Sequence, residues 1–233
     1  MLSTAKKYLN IADNNFIGVF LYGSQNYRLN TEDSDVDTIA IVLNSNQPKQ
    51  EVTLPNGKMK VYTLKYFIDC LKRGDLECHE ILYTKYRCIN PIYENQLNTF
   101  IKDFSKCMSY DRIKHALHCK LDEHLCHVLW IIRNDDGVRY NKKRLYWAIR
   151  VCNQLKRINA GESFESSLVY QSDLSHDLVK IKMETDYLSL RDFNIIYKYL
   201  IEYLQASPRY LKVVSDKEEK CLSNFYTSVT SML

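Results

Sequence analysis

The spacing of hydrophobic and polar positions changes once along the chain, close to residue 64. Before that point the apolar residues come in short continuous runs, which are typical of buried strands. Three strands are predicted, at residues 16–22, 35–42 and 58–63. The first run stops at Gly23-Ser24, as a strand that ends in a turn should, and a loop from Pro48 to the hairpin turn Asn56-Gly57 precedes the third. The N-terminal part is therefore predicted to form a small sheet.

From Leu64 onward the apolar residues recur at helical spacing, and Gly74 stands where the C-cap of the first helix is expected. Further helices are predicted at residues 75–83, 91–107, 111–133, 142–159 and 190–205, with one more in the tail. The change of spacing divides the chain near Asn90 and Pro91. We therefore expect an α/β core in residues 1–90 and a helical domain in residues 91–233.

Composition narrows the class of protein only slightly. The 233 residues are 45% apolar and carry a formal charge of +4, which is ordinary for a globular protein and suits a phosphate-bearing ligand. No apolar run approaches the ~20 residues that span a bilayer, and no secretory signal precedes the eight cysteines. We expect a cytoplasmic protein with reduced thiols and no membrane segment. Its richness in Tyr, Asn, Lys and Ile suits a phage-encoded protein that acts in the host cytoplasm.

Two acids at the start of the second predicted strand are the first candidates for chemistry. Residues at i and i+2 of a strand face the same way, so Asp35 and Asp37 would present two carboxylates about 7 Å apart. Like charges at this distance are costly, and a divalent cation such as Mg²⁺ or Mn²⁺ removes the cost by binding both. Gly23 lets the backbone approach a phosphate closely, and Ser24 can donate to its oxygens.

These residues carry a resemblance to a known superfamily. The segment Leu21-Tyr22-Gly23-Ser24, then Tyr27, then Ser34-Asp35-Val36-Asp37 resembles the signature of DNA polymerase β-like nucleotidyltransferases. Three later segments, at residues 62–67, 79–83 and 143–150, are similar to a predicted branch often found beside RNA ligases. The resemblance implies an α+β fold, with a small mixed β-sheet core flanked by helices and followed by a mainly helical C-terminal part. That part would complete the cleft for nucleotide and acceptor.

The resemblance also implies roles for particular residues. Asp35 and Asp37 would be the catalytic metal ligands, while Gly23, Ser24 and Tyr27 would bind the nucleotide. Many members carry a third carboxylate on the next strand, which holds no acid in this chain. Glu80 is the favoured replacement, and Glu77 and Glu51 are the alternatives.

The predicted helix at residues 142–159 offers further candidates. A helical wheel places five basic and aromatic residues on one broad face: Lys143, Tyr146, Trp147, Arg150 and Arg157. Such a face suits a triphosphate and a base, or a strand of RNA, although a solvated face would have the same pattern. Lys143 and Arg150 are the predicted triphosphate ligands.

The expected reaction is transfer of a nucleoside monophosphate from a nucleoside triphosphate, with ATP first, to an acceptor hydroxyl. An RNA or tRNA end is the favoured acceptor, and a protein hydroxyl is the second. The alternative is a non-catalytic nucleotide- or RNA-binding module that keeps the fold, motivated by the missing third acid.

Histidines and cysteines are concentrated in the predicted helix at residues 111–133. His115, Cys119 and Cys126 share a face, but Cys119 and Cys126 lie about 10 Å apart along the helix axis, too far for one tetrahedral ion. We therefore expect no structural zinc.

Overall fold

The structure is a computed structural model that describes residues 9, 12–27, 29–30, 34–134, 138–170, 172–183, 189–208, 210 and 213–232. The fold is α+β, with a mixed five-stranded sheet and a mainly helical C-terminal part. This confirms the predicted fold class. No helix within the described ranges has both the length and the apolar character to cross a membrane.

The sheet is built from five strands: β1 (Phe16–Leu21), β2 (Thr38–Val42), β3 (Lys49–Leu54), β4 (Gly57–Thr63) and β5 (Arg87–Ile89). Their order is β3-β4-β2-β1-β5, and β2 and β4 are parallel whereas the other neighbours are antiparallel. All residues of β1 and β2 are buried. Because both faces of these central strands are covered, their sequences are continuous apolar runs.

The described helices are α1 (Leu64–Arg73), α2 (Leu76–Tyr83), α3 (Glu94–Cys107), α4 (Tyr110–Asn134), α5 (Val138–Asn159), α6 (Phe164–Leu168), α7 (Ser172–Met183), α8 (Leu190–Ala206) and α9 (Asp216–Thr230). The six helices predicted at named positions are confirmed, as is the tail helix, α9. Gly74 ends α1 in the left-handed conformation with φ of +80°, as its predicted C-cap role requires. α6 and α7 were not predicted.

Two strands were also missed. β3 lies in the stretch predicted as a loop, and its residues alternate between exposed and half-buried. It is an edge strand that pairs only with β4, so the apolar run typical of a central strand does not develop. β5 has three residues, too few for a pattern to be recognised.

The chain divides into two compact units. The first comprises the described residues within Met1–Asn26, Glu32–Ser109 and Lys212–Leu233, and the second those within Tyr27–Thr31 and Tyr110–Leu211. The boundary predicted near Asn90 and Pro91 falls inside the first unit, because α3 and α9 belong with the sheet. Within this unit α3 packs on α9, where the rings of Phe100 and Phe225 stack at 4.1 Å.

The second unit is a bundle in which α4 packs along α5, with α7 and α8 against them. The leucines of α4 at positions 117, 121 and 125 are buried, and their spacing places them on one face of the helix. On the same helix His124 is buried and stacks on Trp147. Burial lowers the pKa of His124 to about 4, so this imidazole is neutral at pH 7 and serves packing.

Candidate functional site

The turn after β1 is organised by a buried carboxylate. Gly23 has φ of +80°, a conformation that side chains disfavour. Its backbone N–H donates to Oε1 of Glu80 at 2.7 Å, and the Asn26 side chain donates to the same oxygen at 3.0 Å. Asn26 also donates to the carbonyl of Leu21 at 2.9 Å. Glu80, only 2% exposed, therefore fixes the turn in which Ser24 lies.

Asp35 and Asp37 lie in the segment that leads into β2, although the sequence predicted both within the strand. The ladder begins at Thr38, which pairs with Leu21. Before it, Tyr22 N–H donates to the carbonyl of Asp37 at 3.1 Å, so the acidic segment runs beside the Gly23 turn. The two predicted motifs are brought together by this backbone hydrogen bond.

The hairpin turn between β3 and β4 supports the acidic segment from its other side. Val36 N–H donates to the carbonyl of Asn56 at 2.7 Å. Gly57 has φ of +150°, and a Cβ at this position would lie 2.4 Å from the carbonyl oxygen of Val36. The absence of a side chain at Gly57 is therefore what allows the hairpin to approach the acids.

The electrostatics of the acidic segment favour a cation. Asp35 is exposed and Asp37 is half-buried. Burial, and next the neighbouring Asp35 carboxylate, raise the pKa of Asp37 above its usual value, while Lys60 and the backbone N–H of Lys58 oppose the shift. Asp37 is thus a partly desolvated carboxylate with a like charge beside it. A divalent cation on the two acids would relieve both costs, so this donor set fits Mg²⁺ or Mn²⁺.

A lysine lies on the strand where the third acid was expected. Lys60 on β4 pairs in register with Ile39 of β2, two residues after Asp37. Its ammonium binds Oε2 of Glu77 at 2.5 Å and lies 4.8 Å from the ring centroid of Tyr22. Burial by itself would lower the pKa of Lys60, but Glu77 and next Tyr22 together outweigh it and raise this pKa above its usual value. A permanent positive charge therefore stands close to Asp37.

The three acids considered as the third carboxylate all have other partners. Glu80 accepts from the Gly23 turn, Glu77 pairs with Lys60, and Glu51 pairs with Lys58 at 2.9 Å. Glu80 was the favoured candidate, and the sequence offered no sign of its role at Gly23 because 57 positions separate the two residues.

The role of Glu80 can be tested by two substitutions. Glu80→Gln keeps an oxygen that accepts from Gly23 and Asn26, so we expect less than a tenfold loss of any activity at this site. Glu80→Leu leaves the buried Gly23 N–H without its charged partner and should lower the free energy of unfolding by about 3 kcal/mol, with roughly a hundredfold loss of activity. Urea unfolding and a ligand-binding or transfer assay measure both effects.

A larger loss of activity in Glu80→Gln than the positioning role allows would assign Glu80 to the metal. A Gln variant that is inactive at unchanged stability is the outcome expected for a cation ligand, as the sequence suggested, and would contradict the positioning role.

Two predicted nucleotide ligands meet in the second unit. The guanidinium of Arg150 lies 4.0 Å from the ring centroid of Tyr27 and 4.5 Å from that of Trp147, and it is buried. Tyr27 is itself 5% exposed and meets Tyr170 edge to face. This stack is a cation–π arrangement that orients Arg150.

The broad basic face predicted on α5 is only partly formed. Tyr146 and Arg150 are buried, because neighbouring elements cover positions that a helical wheel leaves open. Arg157 binds the Glu162 carboxylate at 2.7 Å and donates to three backbone carbonyls at the end of α6. Of the five residues, Lys143 is exposed as predicted.

Comparisons with known proteins add little to this geometry. No protein-family model and no curated protein matches the chain. Among solved structures it is similar to a nucleotidyltransferase-like protein from Exiguobacterium sibiricum, with 14% identity and a TM-score of 0.40. The similarity covers 95% of this chain and 76% of the other. A likeness of this degree assigns no activity to the chain.

Proposed function

We propose that this protein is a metal-dependent nucleotidyltransferase that moves a nucleoside monophosphate from a nucleoside triphosphate to an acceptor hydroxyl. The observation that carries the proposal is the hydrogen bond from Tyr22 to the Asp37 carbonyl, because it joins a Gly-Ser turn to a pair of carboxylates. A phosphate-binding turn beside a cation site is the arrangement that phosphoryl-group chemistry needs.

Different residues would bind the cation and the phosphates. Asp35 and Asp37 would hold Mg²⁺ or Mn²⁺, which when bound neutralises phosphate charge and polarises the attacked phosphorus. Since the N–H of Gly23 is engaged by Glu80, the hydroxyl and backbone N–H of Ser24 are the groups we assign to the phosphates. Glu80 and Asn26 keep that turn rigid, so that Ser24 does not have to be ordered when substrate arrives.

The substrate is proposed to be ATP, with Lys143 and Arg150 as triphosphate ligands and Tyr27 beside the nucleotide. Lys143 supplies an exposed ammonium, whereas Arg150 is buried against Tyr27 and Trp147 and would have to be uncovered before it contacts a phosphate. The acceptor is proposed to be an RNA or tRNA end, supported by the sequence resemblance to the branch found beside RNA ligases and by the +4 formal charge. A protein hydroxyl is the second choice.

A non-catalytic nucleotide- or RNA-binding module is the second candidate function. Two observations favour it: the three acids considered as the third carboxylate are paired elsewhere, and Lys60 already places a positive charge near Asp37. An ammonium at this position can attract a triphosphate without activating it.

Labelled nucleotide separates the two functions. The protein is incubated with Mg²⁺ and each α-³²P-labelled nucleoside triphosphate, with bulk tRNA and with cell protein extract, beside an Asp35→Asn/Asp37→Asn double variant. We expect label on RNA with the wild type alone. Label on protein would select the second acceptor class, and nucleotide binding without label on any acceptor would favour the binding module.

A further inference from the structure

The turn between α1 and α2 brings together three side chains that can bind a metal. α1 ends at the left-handed Gly74, and Asp75 N–H donates back to the carbonyl of Cys70 at 3.0 Å. The carboxylate of Asp75 then caps α2 by accepting from Cys78 N–H at 3.1 Å. As a result, the two sulfurs and a carboxylate oxygen lie within 4.8 Å of one another.

The donor set and its spacing fit zinc. Zinc binds Cys sulfur at about 2.3 Å and carboxylate oxygen at about 2.1 Å, so tetrahedral ligands lie about 3.5–3.8 Å apart. Small side-chain movements would close the observed group to that size. Mg²⁺ and Ca²⁺ prefer oxygen donors. The Mg²⁺ proposed for Asp35 and Asp37 is therefore not the cation that this sulfur-containing group would bind.

The neighbouring groups stabilise a thiolate at Cys70, whereas burial raises the pKa of the Cys78 thiol, so zinc would have to displace the proton of Cys78. Arg73 donates from Nη2 to the sulfur of Cys70 at 3.1 Å, as partners of metal-bound thiolates do. Cys78 is the third residue of α2, where the helix dipole stabilises negative charge. Two thiolates and the Asp75 carboxylate carry three negative charges, which a divalent cation and the Arg73 guanidinium together cancel.

We propose that Cys70, Asp75 and Cys78 bind one zinc ion, with water at the fourth position. Both sulfurs are buried while Asp75 is half-buried, so the water would lie on the carboxylate side. The ion would fasten α1 to α2, the helix that carries Glu80. This departs from the expectation of no structural zinc, which was drawn from the histidine-rich helix alone. Cys70 and Cys78 are eight positions apart and match no short zinc spacing, so only the folded turn reveals the group.

Metal content and cobalt spectroscopy test the site without any measurement of activity. The full chain is reduced, stripped with a chelator, and titrated with Co²⁺. We expect one equivalent to give the visible bands of tetrahedral cobalt and a thiolate charge-transfer band, both abolished by one equivalent of Zn²⁺. Zinc should also raise the melting temperature of the stripped protein.

Variants locate the site. Cys70→Ser and Cys78→Ser should each reduce the charge-transfer band and the double variant should lose it, whereas Cys107→Ser and Cys221→Ser, in a second pair of neighbouring cysteines, should keep it at full strength. Asp75→Asn retains an acceptor that can cap α2 and should weaken zinc binding at least tenfold, so the test survives if a cysteine variant fails to fold. Absence of the cobalt bands, or a disulfide between Cys70 and Cys78 in place of metal, would overturn the proposal.

Discussion

Asp37→Asn is expected to lower nucleotidyl transfer by about a thousandfold, equivalent to about 4 kcal/mol of transition-state stabilisation. Asn has nearly the same shape, so the hydrogen bond from Tyr22 to the residue 37 carbonyl can persist. The loss would therefore come from the missing charge for the cation. Initial rates with labelled nucleoside triphosphate, at saturating Mg²⁺, measure the effect.

The thermal stability of Asp37→Asn without metal should not fall with its activity. Without metal, Asp37 is half-buried beside Asp35, and removal of its charge relieves that repulsion. We expect the variant to melt no lower than the wild type without Mg²⁺, and Mg²⁺ to stabilise the wild type alone. Asp103→Asn, at an exposed acid on α3, is the matched control and should change neither quantity. Transfer at the wild-type rate by Asp37→Asn would refute the metal role of this residue.

The parts of the site that could be predicted from sequence are those set by short-range pattern. An apolar run, a glycine and two acids at alternate positions locate the turn after β1 and the segment before β2 without further information. The contacts that complete the site are long-range. Lys60 faces Tyr22 because β2 and β4 pair in parallel, and that pairing follows from the order of strands in the sheet.

Long-range contacts also explain why the basic face predicted on α5 is only partly formed. A helical wheel gives the direction of each side chain but not what packs against it. Lys143 is exposed, as the wheel suggested. Arg150 is instead covered by Trp147, one helical turn earlier on α5, and by Tyr27, which lies far earlier in the sequence. Arg157, which looked like part of a ligand-binding face, holds the end of α6.

Gly57→Ala is expected to lower the free energy of unfolding by about 3 kcal/mol or more and to reduce transfer sharply. The added Cβ would lie 2.4 Å from the carbonyl oxygen of Val36 and 2.8 Å from its backbone nitrogen. All the crowded atoms belong to backbone, so no side-chain rotation relieves the overlap. The φ of +150° adds strain of its own. The hairpin must therefore move away from the acidic segment, which loses the hydrogen bond from Val36 to Asn56.

Gly161→Ala is the matched control, because it separates strain from overlap. Gly161 also has a positive φ, of +93°, but a Cβ there would meet nothing within 4 Å. It should cost about 1 kcal/mol and leave transfer unchanged. Urea unfolding of the two variants beside the wild type, with transfer rates measured below the unfolding transition, gives both quantities. If the two alanines cost the same, the hairpin does not constrain Asp35 and Asp37 through Val36, and their placement must depend on the Tyr22 hydrogen bond alone.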